Sequence, residues 1–195
     1  DVNYQALLSE QQRKMIQNVY HKRIDSQLSD AIASSLIKET NPKRLRDLFT
    51  SNDYKFFDAN GVFIGEHLKV SEEILSRLKS AFVDGKTLEK DLGQAPTGFN
   101  FGTVISSVAA LVKGERIIIK HNGKDYYSAK DEGVKAVFNA ANEFRKASFK
   151  AILKGLDSTT KKEIVDCIQD INCQDYIGRS INWNTNDFEL IIGIK

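Results

Sequence analysis

Pro96-Thr97-Gly98-Phe99-Asn100-Phe101-Gly102 opens the stretch that decides the fold, and the apolar positions Val104, Ile105, Val108, Ala109, Leu111 and Val112 follow it. Gly114, the run Ile117-Ile118-Ile119, the pair Asn122-Gly123 and Tyr126-Tyr127 complete it by Ser128. Thr97 or Asn100 offers a side-chain oxygen to the first free backbone N–H groups of a helix, and Gly114 stops that helix. The spacing between them predicts one apolar face. Three β-branched residues in a row read as a strand, and Asn-Gly accepts the positive φ angles of a two-residue hairpin turn. A capped helix, a glycine stop, a strand, a tight turn and a return strand form the end of a winged-helix domain, with the hairpin as its wing. Winged helices bind nucleic acid or other proteins, so this order points away from an enzyme.

Outward from that stretch, Tyr4, Leu8, Met15, Val19, Ile24, Leu28, Ile32 and Leu36 predict one or two long helices between about Gln5 and Lys38. Asn41-Pro42 starts another helix, with Asn41 as cap and Pro42 in the first turn. Asn60-Gly61 within Lys55–Ile64 predicts a hairpin of two short strands. Ser71 is expected to cap a helix that buries Ile74, Leu75, Leu78, Ala81 and Phe82, with Asp84-Gly85 as its stop. Thr87 is expected to cap a short helix ending at Gly93. Val134, Val137, Phe138, Ala141, Phe144, Phe149 and Ile152 predict one helix from Gly133 to Leu153, ended by Gly155. Thr160-Lys161-Lys162-Glu163 fits a capping box, and Phe188–Ile194 reads as a terminal strand. The expected fold is mainly α with small antiparallel β hairpins, a central winged-helix-like domain flanked by helical segments. Its expected divisions are residues 1–52, 53–130 and 131–195.

Composition adds few restrictions. Hydrophobic residues make up 41% of the 195 positions and charged residues 28%, ordinary values for a globular chain. The net charge of +2 is too small to indicate a nucleic-acid partner. The charge is uneven, because Val134–Lys162 holds seven Lys/Arg against two Asp/Glu while Glu163–Lys195 holds two against six. Cys167 and Cys173 make no disulfide framework, and the spacing of His21, His67 and His121 suits no metal. No run approaches the roughly 18 apolar residues of a membrane span, and no signal peptide opens the chain. These features predict a cytoplasmic protein without cofactors. Both ends read as cut, which predicts a fragment of a larger protein.

No catalytic pattern emerges. Gly61–Gly65 and Gly98–Gly102 are glycine pairs without the lysine of a phosphate loop. Glu72-Glu73 and Asp131-Glu132 are adjacent carboxylates, which point in different directions on a helix. Cys167, beside Ile164 and Ile168, reads as a buried structural thiol.

Nucleic-acid contact is the main functional alternative. The predicted outer face of the third winged-helix element is Asn100, Thr103, Ser106, Ser107, Ala110 and Lys113. The wing adds Lys120, His121, Asn122 and Lys124. Arg145, Lys146 and Lys150 form a second basic stripe, interleaved with Phe144 and Phe149. Phosphate contacts need Lys or Arg, so the expected DNA contacts are Lys113, Lys120, Lys124, Arg145, Lys146 and Lys150. So weakly charged a helix predicts sequence-independent, salt-sensitive binding to double-stranded DNA.

Ala95-Pro96-Thr97-Gly98-Phe99, the helix Val108-Ala109-Ala110-Leu111-Val112-Lys113-Gly114 and the strand Ile117-Ile118-Ile119 carry a resemblance. With the lead-in Ile74-Leu75-Ser76-Arg77-Leu78, Ala81-Phe82 and Gly85-Lys86, they resemble the BREX-type phage-defence ATPases of the BrxC/PglY family. That family's signature is proline, tyrosine, glycine and tryptophan, then an apolar helix, a glycine and a strand. Thr97 and Phe99 depart from it, and the likeness covers about Phe57 to Ser128. The resemblance implies a non-catalytic regulatory or docking segment of a bacterial defence ATPase, whose phosphate loop lies elsewhere. Its partners would be other subunits or domains of that complex.

Overall fold

The computed structural model of the chain describes residues 4–79, 81–152 and 163–167. Two compact units divide the chain, residues 1–151 and residues 152–195. The divisions expected after residues 52 and 130 therefore both fall inside the first unit. In the second, residues 163–167 are helical, with Val165 buried. Cys167 is exposed there, which corrects its reading as a buried thiol. The expected cap at Thr160, the stop at Gly155 and the strand Phe188–Ile194 lie outside the described residues.

The first unit is mainly helical with one small antiparallel sheet. The predicted N-terminal helical region is broken: α1 spans Tyr4–Val19, and α2 spans Ala31–Lys38 after an irregular connection. Only α2 reaches the core, burying Ala33, Leu36 and Ile37, whereas α1 buries nothing. The short α3, Pro42–Leu45, begins as expected, with the Asn41 side chain accepting a hydrogen bond from Lys43 N. The hairpin expected at Asn60-Gly61 shrinks to a single bridge between Phe57 and Phe63. Asp58 organises that turn, because its Oδ1 accepts from the N–H groups of Asn60 and Val62. Its aromatic flanks pack together, Phe57 and Phe63 meeting edge to face at 5.7 Å.

Two caps differ from expectation, and the structure decides a third that the sequence left open. Ser71 does not cap α4, which spans Lys69–Leu78. It lies inside the helix, buried, with no hydrogen-bond partner for its hydroxyl among the described residues. Asp84, rather than Thr87, caps α5, Gly85–Gly93, accepting from Thr87 N at 2.7 Å. A carboxylate at a helix start also meets the positive end of the helix dipole, which favours it over a threonine hydroxyl. Asn100, rather than Thr97, caps α6, Phe101–Lys113, accepting from Thr103 N at 2.7 Å.

The sheet has the order β1-β4-β2-β3, with every pair antiparallel. Here β1 is Val83–Asp84, β2 Ile117–His121, β3 Lys124–Tyr126 and β4 Ser148–Ala151. The wing is the β2–β3 hairpin, with Asn122 at φ 51° and Gly123 at φ 75°, as the Asn-Gly pair predicts. The long helix expected over Gly133–Leu153 does not form. It divides into α7, Glu132–Asn139, and α8, Ala141–Lys146, because Ala140 is extended (φ −141°, ψ 131°). Beyond α8 the chain becomes β4, which pairs with β2 in the register Ile119↔Phe149. Phe149 and Ala151 turn inward and Ser148 and Lys150 outward, the alternation of a half-buried strand.

One core joins these elements. Ile74 and Leu78 of α4, Leu88 and Leu92 of α5, Val104, Val108 and Leu111 of α6, Ile117 and Ile119 of β2, and Phe144 and Phe149 all belong to it. The order α4, β1, α5, α6, β2, β3 is winged-helix-like, with β4 inserted between β1 and β2.

Candidate interaction surfaces

The face of α6 that was expected to point outward is covered. Every residue from Gly102 to Val112 is buried. The segment before α2 closes over the polar side. Thr103 Oγ1 accepts from Leu28 N at 2.9 Å, and Ser106 Oγ donates to Ser29 O at 2.8 Å. Gln27 Oε1 accepts from Asn100 N at 2.8 Å. The approach is so close that a Cβ on Gly102 would lie 2.2 Å from Leu28 O. Thr103 and Ser106 thus satisfy backbone groups of the neighbouring segment, as burial requires, while the buried Ser107 hydroxyl has no hydrogen-bond partner among the described residues. A helix buried on all sides presents no face to a DNA groove.

The six basic residues separate into distinct environments. Lys113 is half-buried, and its Nζ donates to Glu39 O at 2.7 Å, at the C-terminal end of α2. Arg145 is held by both oxygens of Glu89, at 2.7 and 3.0 Å, and its guanidinium lies 4.9 Å from the Phe101 ring centre. That fork of hydrogen bonds pushes its pKa up. Lys146 donates to Glu143 Oε1 at 2.9 Å. Lys113, Arg145 and Lys146 therefore have partners within the fold. Lys124 is exposed at the wing.

Lys120 and Lys150 are brought together. They lie on the outer face of β2 and β4, opposite the buried Ile119 and Phe149. Their Nζ atoms stand 5.6 and 5.8 Å from the centre of the Phe82 ring. Phe82 was expected in the core of α4, but that helix ends at Leu78 and the ring is 37% exposed. An aromatic ring with two ammonium groups over it is a cation–π cluster whose chemistry suits a stacked base flanked by phosphate. Sequence reading missed it because Phe82 and Lys150 are 68 positions apart, joined only by the pairing of β1 with β4.

The second surface is α1. Tyr4, Leu7, Leu8, Met15, Ile16 and Val19 are all exposed, Tyr4 at 81% and Met15 at 69%. Tyr4, Leu8, Met15 and Val19 share one side of the helix. Glu10 and Lys14 pair at 2.8 Å on another. The spacing of these apolar residues was legible in the sequence. That they face no partner within the described residues was not.

A buried histidine is the nearest approach to catalytic chemistry. His121 Nε2 lies 3.0 Å from Glu143 Oε2, and the imidazole is almost fully buried. Hydrogen bonds from Lys146 and then His121 hold the Glu143 carboxyl below its usual range. Among the described residues no three His, Cys, Asp or Glu side chains gather as metal ligands. No helix among them is long and apolar enough to cross a membrane. No protein-family model, no curated protein and no solved structure matches the chain.

Proposed function

We propose that this chain is a non-catalytic docking module of a larger bacterial phage-defence ATPase, joining it to other subunits or domains of the complex. The observation that carries the docking reading is α1, a 16-residue helix with no buried residue and an apolar side in solvent. Apolar patches of this kind mark interaction sites, and an amphipathic helix is read by a partner groove through anchors three and four residues apart. The burial of α6 supports the same reading, since it removes the face by which a winged helix reads bases. The link to a defence ATPase rests on the motif resemblance from Phe57 to Ser128.

The test is co-purification with the proteins encoded beside it, comparing the parent with a Leu8→Glu/Met15→Glu variant. Both side chains are exposed, so the variant keeps its melting temperature. Loss of the partner in the variant is the expected result. Equal recovery of partner by both proteins would remove α1 from the interface.

A second reading has its own observation. Phe82, Lys120 and Lys150, with Lys124 nearby in sequence on the wing, form a surface for sequence-independent DNA contact.

A further inference from the structure

Independently of α1 and of the sheet face, the first unit contains a cleft of about 540 Å³ between the C-terminal ends of α2 and α6. That volume lies within the range of small-molecule sites. Its lining is mixed and includes Glu39 and Thr40. Pro42, Leu45, Phe57 and Phe63 supply an apolar wall, and Lys113 and Lys130 supply ammonium groups. We propose that this cleft binds a small amphipathic anion, an aryl phosphate or aryl carboxylate, with its ring against Phe57 and Phe63 and its charge between Lys113 and Lys130.

The placement of the cations argues for a ligand rather than a solvated surface. Lys113 reaches the cleft from the last turn of α6 and donates to Glu39 O at 2.7 Å and Ile37 O at 3.5 Å. Those carbonyls end α2, so they fix the side chain at the cleft and leave little freedom to lose on binding. Burial lowers the Lys113 pKa, and the ammonium of Lys130 lowers it further, against the opposing effect of Glu39. Two ammonium groups thus act on each other at one cavity. Among the described residues no carboxylate lies within ion-pair distance of either one. The Glu39 carboxylate is turned to the Asn41 N–H at 2.8 Å. An anion placed between the lysines relieves their repulsion, and the partly desolvated setting strengthens the attraction. Lysines act on phosphate or carboxylate as point charges, which matches this pair better than a forked contact. The aromatic wall adds apolar contact that a bare anion lacks.

The experiment titrates the full chain with 1-naphthyl phosphate, 1-naphthoate, inorganic phosphate and 1-naphthol by calorimetry. The expected result is that a naphthyl anion binds at least about tenfold more tightly than either half-ligand, roughly 1.4 kcal/mol. The ratio of naphthyl phosphate to naphthoate then assigns the anionic group. Lys130→Gln, at an exposed side chain that leaves the fold intact, is expected to weaken binding by about tenfold or more. Lys124→Gln on the wing is expected to leave it unchanged. A naphthyl anion that binds no better than inorganic phosphate overturns the proposal. So does a folded Lys130→Gln variant that binds like the parent.

Discussion

At the scale of single residues, two glycines show why local and tertiary constraints have different consequences. Gly123 has φ 75° with open space around it, so a side chain there meets backbone strain and nothing else. Gly123→Val is expected to cost about 1 kcal/mol or more, read from urea unfolding. Gly102 is constrained by the oxygen of Leu28 instead. Gly102→Ala must move backbone, so its cost in the same measurement is expected to exceed that of Gly123→Val. Asp84 adds a pH dependence. The N–H of Thr87 first, and then its hydroxyl, hold the Asp84 carboxyl below its usual range. A carboxylate with a lowered folded pKa stabilises the fold above the unfolded value, about 4, and loses that contribution as pH falls through the folded value. Asn caps a helix nearly as well but does not titrate. Asp84→Asn is therefore expected to be less stable than the parent at pH 7, with the difference shrinking as pH falls below the unfolded value. A stability difference that does not change with pH counts against the charged cap.

At the scale of elements, α4 and α6 form the centre of the core, and β4 shows where periodicity misleads. Leu78, in the last turn of α4, is fully buried within the same cluster as Val104, Val108 and Leu111. Leu78→Ala is expected to cost about 2–5 kcal/mol. A loss below 1 kcal/mol in thermal or urea unfolding would mean that α4 does not pack as described. The apolar positions from Val134 to Ile152 fit one helix, but they also hold a strand. Ser148-Phe149-Lys150-Ala151 alternates polar and apolar, and the unpaired edge of β2 offers hydrogen bonds that decide in its favour. Over a stretch this short, periodicity does not separate the two, and the pairing partner does.

At the scale of the whole molecule, the six basic residues of the expected DNA surface separate, among the described residues, into groups with partners in the fold and a cluster of Lys120 and Lys150 about Phe82. Arg145 and Lys146 pair with Glu89 and Glu143, and Lys113 closes the end of α2. DNA binding, on the second reading, then depends on Lys120, Lys124 and Lys150. The parent is expected to bind all duplex sequences alike at roughly 10⁻⁴ to 10⁻⁶ M at physiological salt. The variant Lys120→Ala/Lys124→Ala/Lys150→Ala is expected to bind more weakly, with a flatter dependence on salt, in filter binding across a salt series. A variant that keeps the parent's salt dependence excludes this surface, and a parent that fails to bind at low salt leaves the docking reading alone.

Asn41 with Pro42, and Asn122 with Gly123, show what the sequence determined by itself: where α3 begins and where the wing turns. Each depends on side chains and φ angles within three residues, so no distant partner is needed. The mainly helical class with small antiparallel strands was legible for the same reason. The fate of α6 was decided by tertiary structure. Thr103, Ser106, Ser107 and Ala110 read as an outer face because three are polar and all are small. Small side chains also let another backbone approach, and the hydroxyls of Thr103 and Ser106 satisfy Leu28 N and Ser29 O there. The same holds for Phe82, Lys120 and Lys150. Their residue types are plain in the sequence, but their meeting depends on strand pairings between distant segments, which no local pattern encodes.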